Sequence, residues 1–575
     1  MRFNASVKEV KAFILLLILM IFVGIINGVP FVFGDAYGYF HVAKTAVETG
    51  VYPSSQSPEY FEYTGHAVVN SNGKYVTPYS VGQTILYFPF LTASMLFNSG
   101  TIYNDYYKAF NGHSYADGIA ILVAATFFAY LGLIFCYKFL KQLGFSKRVA
   151  YFAALAVYIG LYITSYTFEQ PGYSHIYEFF AYSAFLYYFV KFFFERSSKY
   201  IYLATVFAGL LVLIRIVDIT LLLLPFLFVL YKMRSKKLLA TIGLITGFFA
   251  GFLLLYNYIS YGNPFTVGYS TSGQSGFALS LNILNLLFSD TRGLFIWSPI
   301  LILSLVGLLM YARKSRMALV FFLGPLLLLL AIYNFWGNWW GGVSTGQRFF
   351  IVLAPIFALG LAFLYSEFNF KKLAKLSIFI LVLFSVITTL LYRLTPVLKV
   401  SEKYRNEENA LTTPAYEDYR LTDLYKYHLD LFANRTSFNS YLSSLKDSFN
   451  GGRSVLLLAL GQTDPLVRVT QLEELKYKFY FIPNNVNKNV NANLIVTFSY
   501  KDLNRSYLVS SLNMQVGGSS TITCTSALDC TADSINLIPI LADRSKENYA
   551  RVSNNSKISV YGENIKVNYV NLKLK

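Results

Sequence analysis

The sequence predicts a polytopic α-helical membrane protein followed by a polar, strand-rich C-terminal domain. Three observations carry that prediction. Hydrophobic residues make up 55% of the chain and charged residues only 14%. Apolar runs of roughly the 20 residues needed to cross a bilayer recur up to residue 395. Beyond that point the composition turns to Asn, Ser, Lys and Asp, with no further run of that length. Of the 575 residues, 1–395 are read as the transmembrane part and 396–575 as an extracytoplasmic, mainly-β domain. The net charge of +18 calls for no nucleic-acid partner, because membrane proteins gather Lys and Arg in their cytoplasmic loops.

Taken in order, the first span covers 11–33, with Arg2, Lys8 and Lys11 marking the cytoplasmic side. Its start is basic like a signal peptide, but the apolar run is long and no small-x-small cleavage site precedes Asp35, so it is read as uncleaved. The stretch 80–97 (SVGQTILYFPFLTASMLF) is apolar enough to cross. If it did, Lys138, Lys141, Lys147 and Arg148 would fall outside, against the positive-inside rule. Residues 34–116 are therefore read as one long external loop with interfacial or re-entrant helices, bent at Pro78 and Pro89. Further spans follow at 117–140, 148–167, 175–194, 200–215, 217–231, 239–257, 293–311, 317–334, 348–366 and 375–395, for about eleven in all. In this frame the clusters KQLGFSKR, ERSSK, YKMRSKK, ARKSR and KKLAK are cytoplasmic, while Asp35, Glu169, Asp290, Arg292 and Arg348 are external. The N-terminus is inside and the C-terminus outside, as in a multi-pass protein of the plasma membrane.

In the tail, residues 429–449 carry a helical period. SVLLLALG, KYKFYFIP, NLIVTFSY and KISVYGENIKVNYVNLKL are β-rich or alternate. Sequons at Asn434, Asn504 and Asn554 suit an outside location. Of the three cysteines, Cys136 sits in an apolar helix, and Cys524 and Cys530 are close enough for a disulfide if the tail is extracytoplasmic. The sequence has no CxxC, HExxH or GxxxxGK[ST], which removes the common zinc signatures and an ATP-driven pump.

The candidate site residues sit at the outer ends of the spans. Asp35 opens GDAYGYFHVAKTAVETGVYP directly after the first apolar run. A carboxylate costs about 2.5–3.5 kcal/mol at a bilayer centre. Its position at the edge fits either a simple end of the span or a catalytic or metal-binding group. Glu169 lies in TFEQPGYSHIYEF, with His175 beside it in sequence, and Asp218 and Arg215 lie in LIRIVDIT. Three residues apart on a helix, Arg215 and Asp218 would share a face and neutralise one another. The planar fork of arginine suits phosphate oxygens, so Arg215, Arg292 and Arg348 on one face point to a lipid-linked phosphate. YNFWGNWWGGVSTGQRFF adds Trp336, Trp339 and Trp340, as interface anchors or as platforms for a sugar or a prenyl chain.

Taken together, several segments resemble the GT-C glycosyltransferases, membrane enzymes that include protein O-mannosyltransferases and lipid A aminoarabinose transferases. The segments are GDAYGYFHVAKTAVETGVY, TPYSVGQTILYFPF, LIRIVDITLLLLP, YNYISYGNPFTVGY, DTRGLFIWSP and WGNWWGGVSTGQRF. They cover the membrane part and not the tail. The resemblance implies a polyprenyl-phosphate-linked sugar as donor and Asp35 as base or metal contact. It also implies Glu169 as a second acidic residue, with a divalent metal ion as an optional cofactor on the two. The first loop carries a single Asp rather than an acidic pair, which leaves metal dependence open. The tail lacks a WWDYG motif, which argues against transfer of whole glycans onto Asn.

The expected activity is therefore transfer of a hexosyl or pentosyl group to a glycan, lipid or protein acceptor at the extracytoplasmic face, with inversion. Arg215, Arg292 and Arg348 are expected to hold the donor phosphate, and His175, Asp218 and the three tryptophans to line the substrate site. The alternative is a transporter or flippase of lipid-linked sugars. Such a protein would place ionisable groups near the midplane and often carry internal repeats.

Overall fold

A computed structural model describes residues 17–18, 20, 35–49, 68–69, 75–98, 115–232, 235–266, 268, 281–315, 319–342, 344–367, 372–394 and 420–433, and the backbone of strands between 475 and 572. Most of the expected first span at 11–33 lies outside these residues. So do 50–67, 99–114, the run SVLLLALG and Cys530.

The chain rises through α1 (Asp35–Thr49), a short antiparallel ribbon of β1 (Val68–Val69) with β2 (Tyr75–Val76), and α2 (Gly82–Asn98). Long apolar helices follow: α3 (Tyr115–Gln142), α4 (Lys147–Gly160), α5 (Ile163–Phe168), α6 (His175–Glu195), α7 (Ser198–Ile214), α8 (Ile219–Lys232) and α9 (Lys236–Tyr261). After these come α10 (Ile283–Phe288), α11 (Leu294–Trp297), α12 (Ile300–Lys314), α13 (Gly324–Asn334), α14 (Ala354–Glu367), α15 (Lys372–Leu394) and α16 (Leu421–Ala433). Local chemistry sets several of the ends. Ser146 accepts from the Val149 N–H at 3.3 Å and Ser235 from the Leu238 N–H at 3.3 Å, so each serine supplies an acceptor that the first turn lacks.

Among the described residues, Ala116–Gln142, Lys236–Tyr261 and Arg348–Glu367 are long and apolar enough to cross a membrane. Ser198–Ile214, Leu319–Asn334 and Leu376–Leu391 are shorter apolar helices. In Arg348–Glu367 89% of the apolar window is buried, against 11% in Lys236–Tyr261. The first is thus a core helix of the bundle, while the second shows Leu244, Phe248 and Leu255 outward. α6 is also central: Ile176, Tyr177, Phe179, Tyr182 and Leu186 are buried. Its rings interlock with neighbours, Phe180 lying 5.1 Å from Phe128 and Tyr188 stacking on Phe207 at 5.7 Å.

Several expected continuous spans are interrupted. The run 148–167 breaks at Tyr162, which has a φ of 56° and whose buried hydroxyl donates to the Trp297 carbonyl at 2.6 Å. The run 293–311 breaks at Ser298–Pro299, because proline cannot donate to the preceding turn. The run 348–366 begins as a 3₁₀ helix, Arg348–Leu353, before α14. Hydropathy averaged over a span-length window is insensitive to these breaks, since one or two less apolar residues change little in a run of about 20 apolar ones.

In the tail, KYKFYFIP and NLIVTFSY fall within β3 (Leu475–Pro483) and β4 (Asn491–Tyr500). With β5 (Arg505–Gln515), β6 (Ser519–Cys524), β7 (Ser534–Leu541), β8 (Ser556–Gly562) and β9 (Tyr569–Leu572) they pair in the orders β6-β3-β8 and β5-β4-β7-β9. Of the helical period expected at 429–449, residues 429–433 lie in α16, which starts at Leu421, and 434–449 lie outside the described residues.

Candidate active site

Asp35 is the first residue of α1, where the N-terminal end of the helix dipole favours a negative charge. Its position is held by Tyr79, whose hydroxyl donates to Asp35 Oδ1 at 3.0 Å. Tyr79 can approach because residue 38 is glycine: a Cβ there would fall 2.4 Å from the Tyr79 ring. The ring stacks on Tyr39 at 4.8 Å. The backbone of this segment is fastened from α9, where Tyr256 donates to the Tyr79 carbonyl at 3.1 Å and Tyr261 to the Thr77 carbonyl at 2.7 Å. Behind α1, Lys44 pairs with Asp117 of α3 at 2.8 Å, and Ser94 of α2 donates to the same carboxylate at 2.7 Å.

The other oxygen of Asp35 faces Arg348. Asp35 Oδ2 lies 3.0 Å from Arg348 Nη2. The guanidinium carbon sits 5.0 Å from the centre of the Tyr173 ring and 5.6 Å from that of Phe349. Gly341, with a φ of 74°, opens room beside it: a Cβ there would come 3.0 Å from Arg348 Nε. Among the described residues, Nε and Nη1 of Arg348 are buried and have no hydrogen-bond partner.

A second charged group lies against the same aromatic wall. Arg215 sits 5.2 Å from the Phe349 ring centre and 6.0 Å from that of Tyr333. Its ion-pair partner is Glu178 of α6, with Nη1 and Oε2 3.6 Å apart, and Glu178 is fully buried. His175 Nδ1 lies 3.4 Å from the same carboxylate oxygen and 3.5 Å from Arg215 Nη1, and Ser174 donates to the other oxygen. The sequence reasoning missed Glu178. Its signal was a lone carboxylate in the first turn of an otherwise apolar helix, a costly placement that calls for a partner.

Four chains of known structure are similar to this chain, each with a TM-score below 0.5. ArnT from Cupriavidus metallidurans, bound to undecaprenyl phosphate, is similar at 13% identity and a TM-score of 0.42, over 80% of this chain and 75% of that one. An oligosaccharyltransferase from Archaeoglobus fulgidus, in complex with Zn and sulfate, is similar at 15% identity and a TM-score of 0.40, over 70% of this chain. This chain spans only 58% of that protein's length. AglB from Archaeoglobus fulgidus, in complex with an inhibitory peptide and a dolichol-phosphate, is similar at 12% identity and a TM-score of 0.34, over 72% of this chain and 61% of that one. The oligosaccharyltransferase in its apo form is similar at 12% identity and a TM-score of 0.38, over 72% of this chain and 62% of that one. No model of a protein family and no curated protein matches the sequence.

The remaining expected residues are distributed unevenly. The helical-face pairing of Arg215 with Asp218 is a correction. Arg215 has an extended backbone, with φ −147° and ψ 119°, so the two are not neighbours on one helix, and Arg215 reaches Glu178 instead. Asp218 is buried nearby, within electrostatic reach of both. Arg292 is wholly buried over the Trp297 ring at 5.1 Å, with its Nε donating to Ser344 at 3.3 Å. It thus ties the 290–298 turn to the loop ahead of Arg348. Asp290 accepts from the N–H and hydroxyl of Thr422, and its carbonyl accepts from the Leu421 N–H at 3.1 Å, so it caps α16. Glu169 follows α5 in the turn that packs on α1, where Gly172 meets Ala36. Trp336 and Trp339 pack against the core, and Trp339 lies edge-on to Trp340 at 6.0 Å.

A divalent metal, the optional cofactor expected on Asp35 and Glu169, would have to displace the present partners of Asp35. The two oxygens of Asp35 are engaged by Tyr79 and by a guanidinium, which repels a dication where a ligand set would need to receive one. Among the described residues no group of three His, Cys, Asp or Glu side chains could hold a metal ion.

Proposed function

We propose that the chain is a membrane glycosyltransferase, moving a sugar from a polyprenyl-phosphate donor to an acceptor hydroxyl at the extracytoplasmic face, with inversion. The observation that carries this reading is the Asp35–Arg348 pair, a carboxylate and a guanidinium 3.0 Å apart at the head of the first loop. A second arginine, Arg215, lies on the same Phe349 ring.

In this reading Asp35 accepts the proton of the acceptor hydroxyl as its oxygen attacks the anomeric carbon. The bond from that carbon to the phosphate oxygen breaks, and its electron pair leaves with the polyprenyl phosphate. Arg348 and Arg215 stabilise that charge, and Arg292 holds the loop that carries Arg348. Glu169 adds a second carboxylate at the α1 face, and His175 and Asp218 support the Arg215 side. Trp336, Trp339 and Trp340 offer apolar surface to the sugar or the lipid chain. The chain is multi-pass, with its N-terminus cytoplasmic, and residues 396–575 form an external mainly-β domain that helps select the acceptor.

The test is incubation of the purified protein, in lipid nanodiscs, with radiolabelled polyprenyl-phosphate hexose or pentose and extracted envelope acceptors. Label should pass to an acceptor with wild-type protein and not with Asp35→Asn. Movement of intact label across proteoliposomes without transfer would instead favour a flippase.

A further inference from the structure

The Asp35–Arg348 pair has an internal tension. A general base needs a carboxylate free to take a proton, yet Asp35 is held by the guanidinium that is also to receive the donor phosphate. Arg348 meanwhile spends only Nη2 on that carboxylate and leaves buried Nε and Nη1 without acceptors. A buried donor without an acceptor is unfavourable. An anion offering several oxygens satisfies more of this fork than one carboxylate oxygen does.

We propose that Asp35 and the donor phosphate compete for Arg348, so that phosphate binding releases the base. The inference rests on the glycosyltransferase reading and deepens it. In the free protein the pair holds Asp35 in check, with Tyr79 fixing its other oxygen. When a lipid phosphate arrives, Arg348 turns its fork toward the phosphate oxygens, and Asp35 loses the guanidinium while keeping the Tyr79 bond. Its freed oxygen, on a side chain 24% exposed, then faces the acceptor hydroxyl. Arg215 stays where it is, because the fully buried Glu178 holds it. One arginine is thus an exchangeable contact and the other a fixed one, and the base is fully available only when a donor is present.

The experiment is equilibrium binding of undecaprenyl phosphate to the full-length protein in nanodiscs. Four proteins are compared: wild type, Asp35→Asn, Arg348→Gln and the double variant, each checked by its thermal unfolding. Removing the competitor should tighten binding about fivefold or more in the Arg348 background, a span typical of coupled sites. In the Arg348→Gln background the same change should leave binding unaltered. Equal tightening in both backgrounds would show simple charge repulsion and overturn the exchange, as would no tightening in either. Should Arg348→Gln not fold, Arg348→Lys replaces it, and the gain from Asp35→Asn should shrink with a point charge in place of the fork; an undiminished gain overturns the proposal. Transfer activity that depends on Asp35 without this coupling would sink the exchange alone. Failure of wild type to bind the lipid phosphate would overturn both readings.

Discussion

Asp35 Oδ2 and Arg348 Nη2 are 3.0 Å apart, joining the head of α1 to the 3₁₀ turn that opens the core helix α14. Loss of either group should remove activity without unfolding the chain. Asp35→Asn keeps the shape and the Tyr79 contact but cannot take a proton, so sugar transfer should fall by about 10²–10⁴-fold. Arg348→Lys keeps a charge and loses the planar fork. A transfer assay paired with thermal unfolding checks both, and activity close to wild type in Asp35→Asn would end its assignment as base.

Glu178 and Arg215 form a buried ion pair at 3.6 Å. Replacing one member strands the other charge, which typically costs about 3–5 kcal/mol. Glu178→Gln should therefore lower the thermal midpoint markedly, and the pair Glu178→Gln with Arg215→Met should recover much of it. A single variant as stable as wild type would show that the pair contributes nothing.

Gly38 admits the Tyr79 ring, and Tyr79 holds Asp35. Gly38→Ala drives a methyl into that ring, so transfer should drop more than stability. Tyr79→Phe removes only the hydroxyl, a hydrogen bond to a charged group worth about 1.5–3 kcal/mol, and should slow transfer by about 10- to 150-fold. Equal activity in Tyr79→Phe and wild type would remove the positioning role.

Asp290 caps α16 from another part of the chain. Asp290→Ala removes the side-chain acceptor of Thr422 while keeping the carbonyl that holds Leu421, so it should cost about 0.5–2 kcal/mol and raise hydrogen exchange at Thr422 ahead of the rest of the helix. Unchanged exchange at the Thr422 amide would contradict the cap.

His41 of α1 is held at a pKa of about 4 by burial, below the ordinary 6.5. Between these values the unfolded chain binds the proton and the folded one does not. Stability contributed at neutral pH is therefore lost as pH falls from 6.5 toward 4. Thermal midpoints measured across that window should decline in wild type, and less steeply in His41→Gln.

Much of the architecture was legible in the residues. Apolar runs located the helices Tyr115–Gln142, His175–Glu195 and Lys236–Tyr261 to within a few residues, because the length of an apolar run is a local property. KYKFYFIP and NLIVTFSY read as strands and pair as strands. Asp35, Arg215 and Arg348 were picked out as polar groups at the ends of apolar spans, and the fold brings Arg215 and Arg348 to one ring.

What only the tertiary structure decided is who faces whom. Arg215 answers Glu178 rather than Asp218, because the chain is extended at Arg215 and a helical spacing rule has no hold there. Arg292 turns inward over Trp297, and Asp290 serves a helix far along the chain. The sequence determines which segments are apolar enough to pack and which charges stand at their ends. A charge takes the opposite charge that packing brings within about 4 Å, and that distance exists only once helices far apart in sequence have met.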